Sequence, residues 1–189
     1  MTRRKSVLAL AAVAALALMP GCIVRSIHPW FGKLDVTFES ELLGGWVGVG
    51  EGSRLAMTFG RGEGNTYIVQ YLNEDGRGVF VGTLGKIAGE FYLDFRPVEP
   101  PQGIDGLLLF PTHSLARLEL GRDRLSVAVL NYEGVKAAAK RDRFKDYRHI
   151  WHDEDEILFT APAEDMRRFV VAHGRDSELF QQPLRLVRK

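Results

Sequence analysis

The chain predicts a mainly β fold with C-terminal helices (α+β), either an antiparallel up-and-down barrel or a strongly curved sheet, behind an export leader. Three observations point there. Apolar side chains alternate with polar or small ones from Trp46 to Leu130, the period-2 signature of strands with one buried face. Glycine-rich or charged clusters interrupt that alternation at intervals close to the about 8–12 residues typical of antiparallel β proteins. Beyond Leu130 the alternation stops and helix formers take over.

The leader comes first. Arg3, Arg4 and Lys5 precede an uncharged run from Ser6 to Leu18, and Pro20 and Gly21 break that run just before Cys22. A basic head, a short apolar run and a small residue make a secretory leader. The run is shorter than the about 20 apolar residues of a spanning helix. Gly21-Cys22 resembles the junction of bacterial lipoprotein signals, in which the cysteine is acylated and becomes the mature N-terminus; Met19 and Pro20 depart from that family's usual residues. Cys22 is the single cysteine of the chain, so an exported form has no internal disulfide and an acyl acceptor gives the thiol a use. The competing reading is an ordinary leader followed by an ordinary thiol.

The lipoprotein resemblance implies a signal peptide over 1–21 and a lipidated tether over 22–33, with attachment to the membrane through acyl chains on Cys22. With Ile23 and not Asp next in line, it implies the periplasmic face of the outer membrane. The tether is short, so Trp30 and Phe31 either rest at the bilayer interface, where aromatic rings are favoured, or plug one end of the domain. Residues 34–189 suit one domain, a sheet over 34–131 and a helix–strand–helix extension over 132–189.

Charge excludes one class of partner. Lys and Arg number 25 against 24 Asp and Glu, and without residues 1–21 they fall to 22, a balance near −2 with both signs interspersed. That argues against nucleic acid and against a strongly acidic partner.

Along the sheet, Leu55, Met57 and Phe59 alternate with smaller residues, as do Tyr67, Val69 and Tyr71. Turn signals fall at 60–65, 73–78 and 84–89. "GEFYLDF" (89–95) reads as a strand, the prolines of 97–106 as an irregular loop, and 107–120 as one or two strands around Pro111. Leu125, Val127 and Val129 give the last strand of the run. Residues 132–147 read as a helix of two or three turns, 157–162 as a strand. A second helix follows, with Thr160 as N-cap, Glu164 and Asp165 in its first turn, a buried face of Met166, Phe169, Val170 and His173, and Gly174 at its end.

"ELLGGWVGVGEGSRLAMTF" (41–59) concentrates glycine, which raises the question of a phosphate loop. Its spacing matches neither G-x-G-x-x-G nor G-x-x-x-x-G-K-[ST], and the strand-like "SRLAMTF" follows where such a loop needs a helix. Gly44, Gly48, Gly50 and Gly52 instead share parity with Trp46, so in a strand they lie on one face. That suits a sharp bend or the close crossing of another segment.

Gly44-x-Trp46, after the lead-in "FESELL", is similar to the G-x-W signature of lipocalins and related small β-barrels. The stretch also looks like the "LLGTW"-type starts of uncharacterised bacterial lipoproteins. The lipocalin resemblance implies that Trp46 closes one end of the barrel and that an apolar ligand occupies the interior, with an arginine, Arg185 or Arg188, on the indole. The family's T-D-Y motif has no counterpart. The ligand-binding candidates are Trp46, Tyr67, Tyr71, Phe91 and Phe95, for which plain core packing is the alternative, and the expected space is an apolar cavity of a few hundred Å³, roughly that of known ligand pockets.

Two further constellations invite chemistry. His149 and His152 in "HIWHDEDE" are three apart with carboxylates beyond, a possible zinc or iron set, yet a charged run between elements is more simply a solvated turn. His113 and Ser114, with Asp105 or Glu119 as orienter, suggest a hydrolase, but neighbours in a strand face opposite ways and no G-x-S-x-G elbow surrounds the serine. Asp94 and Glu99 read as surface charge. The expectation is a non-enzymatic, cofactor-free envelope lipoprotein that binds a small apolar or lipid ligand; the alternatives are an assembly factor contacting envelope proteins, and a hydrolase or metalloenzyme.

Overall fold

The computed structural model describes residues 23–50, 53–74, 76–98, 112–152 and 156–189. The leader, Cys22, Gly52, residues 99–111 (with Glu99 and Asp105) and the acidic residues 153–155 lie outside the described residues.

In chain order the strands are β1 (Ile23–Ser26), β2 (Val36–Thr37), β3 (Gly44–Gly48), β4 (Ala56–Arg61), β5 (Thr66–Leu72), β6 (Arg77–Ile87), β7 (Glu90–Pro97), β8 (Ser114–Leu120) and β9 (Arg124–Val129). Helix α1 (Tyr132–Lys140), β10 (His149–His152), β11 (Glu156–Phe159), α2 (Ala163–His173) and β12 (Leu184–Arg188) follow. From β3 to β9 each strand pairs antiparallel with the next. The chain then leaves the sheet for α1, β10, β11 and α2 and returns as β12, which pairs antiparallel with both β9 and β3. Eight antiparallel strands thus close into an up-and-down barrel of lipocalin-like architecture, which has no free edge. No helix among the described residues is long and apolar enough to cross a membrane.

Strand alternation divides the apolar residues into two cores. The inward set, including Trp46, Phe59, Tyr67, Leu118 and Leu186, fills the barrel. The outward set of β7 to β9, including Tyr92, Leu115 and Ala128, packs under α1, α2 and a small sheet in which β11 pairs parallel with β1 and antiparallel with β10. That outer core is aromatic: Trp30, Phe144 and Phe159 lie 5.1–5.5 Å from Phe169, centroid to centroid. It is pinned by Arg167 to Asp35 at 2.8 Å and by Arg143 to Asp176 at 2.6 Å, and the Arg143 hydrogen bond holds the Asp176 carboxyl below its ordinary range.

Several expectations change. The stretch read as a tether is folded from Ile23 onward, and Trp30 and Phe31, 0% and 4% exposed, pack in the outer core and not at a bilayer. The turn expected over 84–89 shrinks to two residues: β6 runs through Ile87, and Ala88 and Gly89, with φ of 51° and 87°, make the tight hairpin that left-handed pairs allow. α1 ends at Lys140, and turns carry the chain on through Tyr147. The cap of α2 is Pro162 and not Thr160, because the Thr160 amide still bonds to the Arg148 carbonyl at 2.8 Å as an extension of the small sheet. Of the expected buried face of α2, Met166, Phe169 and Val170 are fully buried and His173 is half-buried.

Candidate functional site

The barrel interior has two unlike ends. Residues late in β4, β6, β8 and β12, and early in β5 and β9, meet at one of them. There Leu42, Trp46, Phe59, Tyr67, Leu84, Leu118, Leu125 and Leu186 are each at most 2% exposed. A short 3-10 turn at Ser40–Leu42 carries Leu42 across the bottom, and its carbonyl accepts a hydrogen bond from Trp46 Nε1 at 2.9 Å.

Register assigns the arginine that the sequence leaves open. Arg188 lies directly opposite Trp46 in the β12–β3 pair, and its guanidinium sits 4.3 Å from the indole centroid. It donates to the carbonyls of Leu43 at 3.0 Å, Glu41 and Arg122. One side chain therefore ties the last strand to the first and to the lead-in segment. Gly44 has φ +110°, a conformation side chains resist, and its missing Cβ faces the Arg188 guanidinium. Gly48 is needed for a different reason: a Cβ there would lie 2.4 Å from Ser53 Oγ, where the chain folds back after β3. Gly50, with φ +134°, belongs to that bend and not to the strand.

Tyr67 completes the floor. Its hydroxyl accepts from the Glu39 amide at 2.7 Å and donates to the Glu39 carbonyl at 3.1 Å, and burial raises the phenol above its ordinary pKa. Phe38 stacks on its ring at 4.8 Å, and the Arg61 guanidinium lies 4.4 Å from the centroid of Phe38.

At the other end, residues late in β5, β7 and β9 and early in β4, β6, β8 and β12 surround an apolar recess of about 70 Å³. Met57, Val69, Tyr71, Phe80, Leu93, Phe95, Ala116, Val127, Val129 and Leu184 line it, without a charged side chain. Tyr71, Phe80, Phe95, Val129 and Leu184 are only half-buried, so the recess opens outward as a mouth. Phe80 and Phe95 meet edge to face at 5.6 Å.

Among the described residues the expected cavity of a few hundred Å³ beside Trp46 is therefore not present; Trp46 and Tyr67 are packed into the floor. An eight-stranded barrel is just wide enough for side chains or one small ligand, and here side chains take the lower half. The remaining volume is roughly half of the about 150 Å³ that an engineered apolar cavity needs to take up benzene. Of the candidates, Tyr71 and Phe95 line the recess. Trp46 and Tyr67 close the floor, and Phe91, with the Lys86 ammonium 5.1 Å from its ring, packs on the inner wall away from the recess. Most of the recess is aliphatic, and the signal for those residues was their shared strand parity with Tyr71 and Phe95.

The other constellations fall differently. Asp94, read as surface charge, is 5% exposed: it accepts from the Trp30 amide at 2.8 Å and pairs with His113 Nδ1 at 2.6 Å, which pegs the N-terminal segment to the barrel wall. The serine that His113 faces across a backbone bridge is Ser26, fully buried and closed to substrate. His149 and His152 open and end β10 and do not stand in a turn; the carboxylates that would complete their set at 153–155 lie outside the described residues. No group of three or more metal-ligating residues occurs among the described residues. Comparison with family models, curated proteins and solved structures returns no match.

Proposed function

We propose that this chain is a membrane-anchored envelope lipoprotein that binds the apolar end of a small molecule or lipid at the mouth of its barrel. One observation supports this most: the mouth keeps an open recess lined only by apolar groups, whereas the opposite end is packed and fastened by Trp46, Tyr67 and Arg188. An uncharged lining gains from burying hydrocarbon and penalises a buried charge. A volume of about 70 Å³ admits the end of an alkyl or acyl chain and leaves the polar part outside.

Anchoring through Cys22 would place the domain directly on the bilayer, because Ile23 already belongs to a strand and only the Cys22–Ile23 bond separates lipid from fold. Native mass spectrometry and lipid extraction of protein purified from its own host test both parts. The expected results are an acylated Cys22 at the N-terminus and a copurifying apolar compound that is lost from Ala116→Leu, which fills the recess. An unmodified Cys22 would refute the anchoring; an empty protein that takes up no added alkyl compound would refute the binding.

A further inference from the structure

We infer that the outer wall of the barrel carries a second site, independent of the recess, that fits a zwitterionic phosphate-bearing group of the phosphoethanolamine type. The helices and small sheet cover part of the outer faces of β7 to β9, but a groove of about 760 Å³ crosses the outside of the wall where β8, β9, β12 and β3 lie side by side. Register sets its floor. Ser126 on β9 stands directly opposite Glu119 on β8 and, on its other side, directly opposite Arg185 on β12. Arg124, two residues before Ser126, shares its face and is diagonal to Arg185, about 7–8 Å away by the geometry of antiparallel pairs. Ser126 is thus flanked by the Glu119 carboxylate on one side and the Arg185 guanidinium on the other, with Arg124 diagonal to both.

These charges are unspent. Arg124, Arg185 and Glu119 have no ion-pair partner among the described residues, although they line one groove. Paired guanidiniums with an adjacent hydroxyl hold a phosphate by charge-assisted hydrogen bonds. A simple anion would leave Glu119 repelling it; a group that also carries an ammonium satisfies the carboxylate.

The test uses the mature chain, amide NMR and three probes: O-phosphoethanolamine, inorganic phosphate, and vesicles containing phosphatidylethanolamine. O-phosphoethanolamine is expected to shift signals of 119–126 and 184–187 and to bind about tenfold more tightly than inorganic phosphate, the effect of one added charged hydrogen bond. Arg124→Gln and Arg185→Gln should each weaken it about tenfold, and Glu119→Gln should erase its advantage over inorganic phosphate. Vesicles that compete with the free compound identify a lipid headgroup as the source; vesicles that do not compete identify a soluble phosphoester. The site is refuted if neither O-phosphoethanolamine nor vesicles move groove signals, or if the double variant Arg124→Gln/Arg185→Gln responds as the parent does. All three positions are on the outer surface, so the fold survives, and failure here leaves the recess unaffected.

Discussion

The two ends of this barrel are built from the same strands and treat their interior differently. At the floor, Leu42, Trp46, Phe59, Tyr67, Leu84, Leu118, Leu125 and Leu186 are buried to within 2%, and polar bonds lock the segment that crosses it: Trp46 to Leu42, Tyr67 to Glu39, Arg188 to Leu43. At the mouth the side chains lining the recess are uncharged and half of them are only partly buried. Stability is therefore concentrated at the floor, and the freedom to admit another molecule at the mouth. A barrel packed equally at both ends would be a rigid spacer; this asymmetry is what favours binding.

Substitutions that break the comparison can be ranked by their cost. Trp46→Ala removes the largest floor side chain and orphans the Arg188 stack, and should cost about 3–5 kcal/mol in urea unfolding. Arg188→Ala leaves the indole but frees the carbonyls at the closing seam, and about 2 kcal/mol is expected. Tyr67→Phe, which removes both bonds to Glu39, should cost about 1 kcal/mol.

The Tyr67 change also carries a pH signature. Burial raises the folded phenol above the ordinary 10.0, so the unfolded chain loses its proton first. The stabilisation is fully present below pH 10.0 and is lost as pH rises through the folded value. Tyr67→Phe should shallow that alkaline decline without abolishing it, since burial raises Tyr92 and Tyr147 as well. An unchanged slope would mean that the Tyr67 hydroxyl is not sealed in the floor. At the mouth, Ala116→Leu fills existing space and should leave stability within about 1 kcal/mol of the parent while abolishing uptake of an alkyl compound.

What the residues disclose in advance follows the same division. Gly44-x-Trp46 and the alternation of Met57, Phe59, Tyr67, Val69 and Tyr71 are local patterns, and they were enough for the antiparallel barrel and its closed end. Choosing Arg188 over Arg185 needed the register of β12, which returns only after α1, β10, β11 and α2, and no local pattern carries that register. Asp94 read as surface charge for a similar reason, because its partners are the Trp30 amide 64 residues away and His113. β1 was mistaken for a tether because four residues beside a leader have no alternation long enough to read, and their partner β11 is more than 130 residues distant. The recess was legible in parity but not in volume, since the space left inside depends on how far Trp46, Phe59 and Tyr67 fill the barrel.

Methyl NMR of the mature chain titrated with 1-decanol, an uncharged alkyl chain, tests the mouth directly. The account predicts shifts for the methyl groups of Leu93, Val127, Val129 and Leu184, with those of Leu42, Leu84, Leu118 and Leu186 unmoved. Shifts at the floor residues, or none at the mouth, would contradict it.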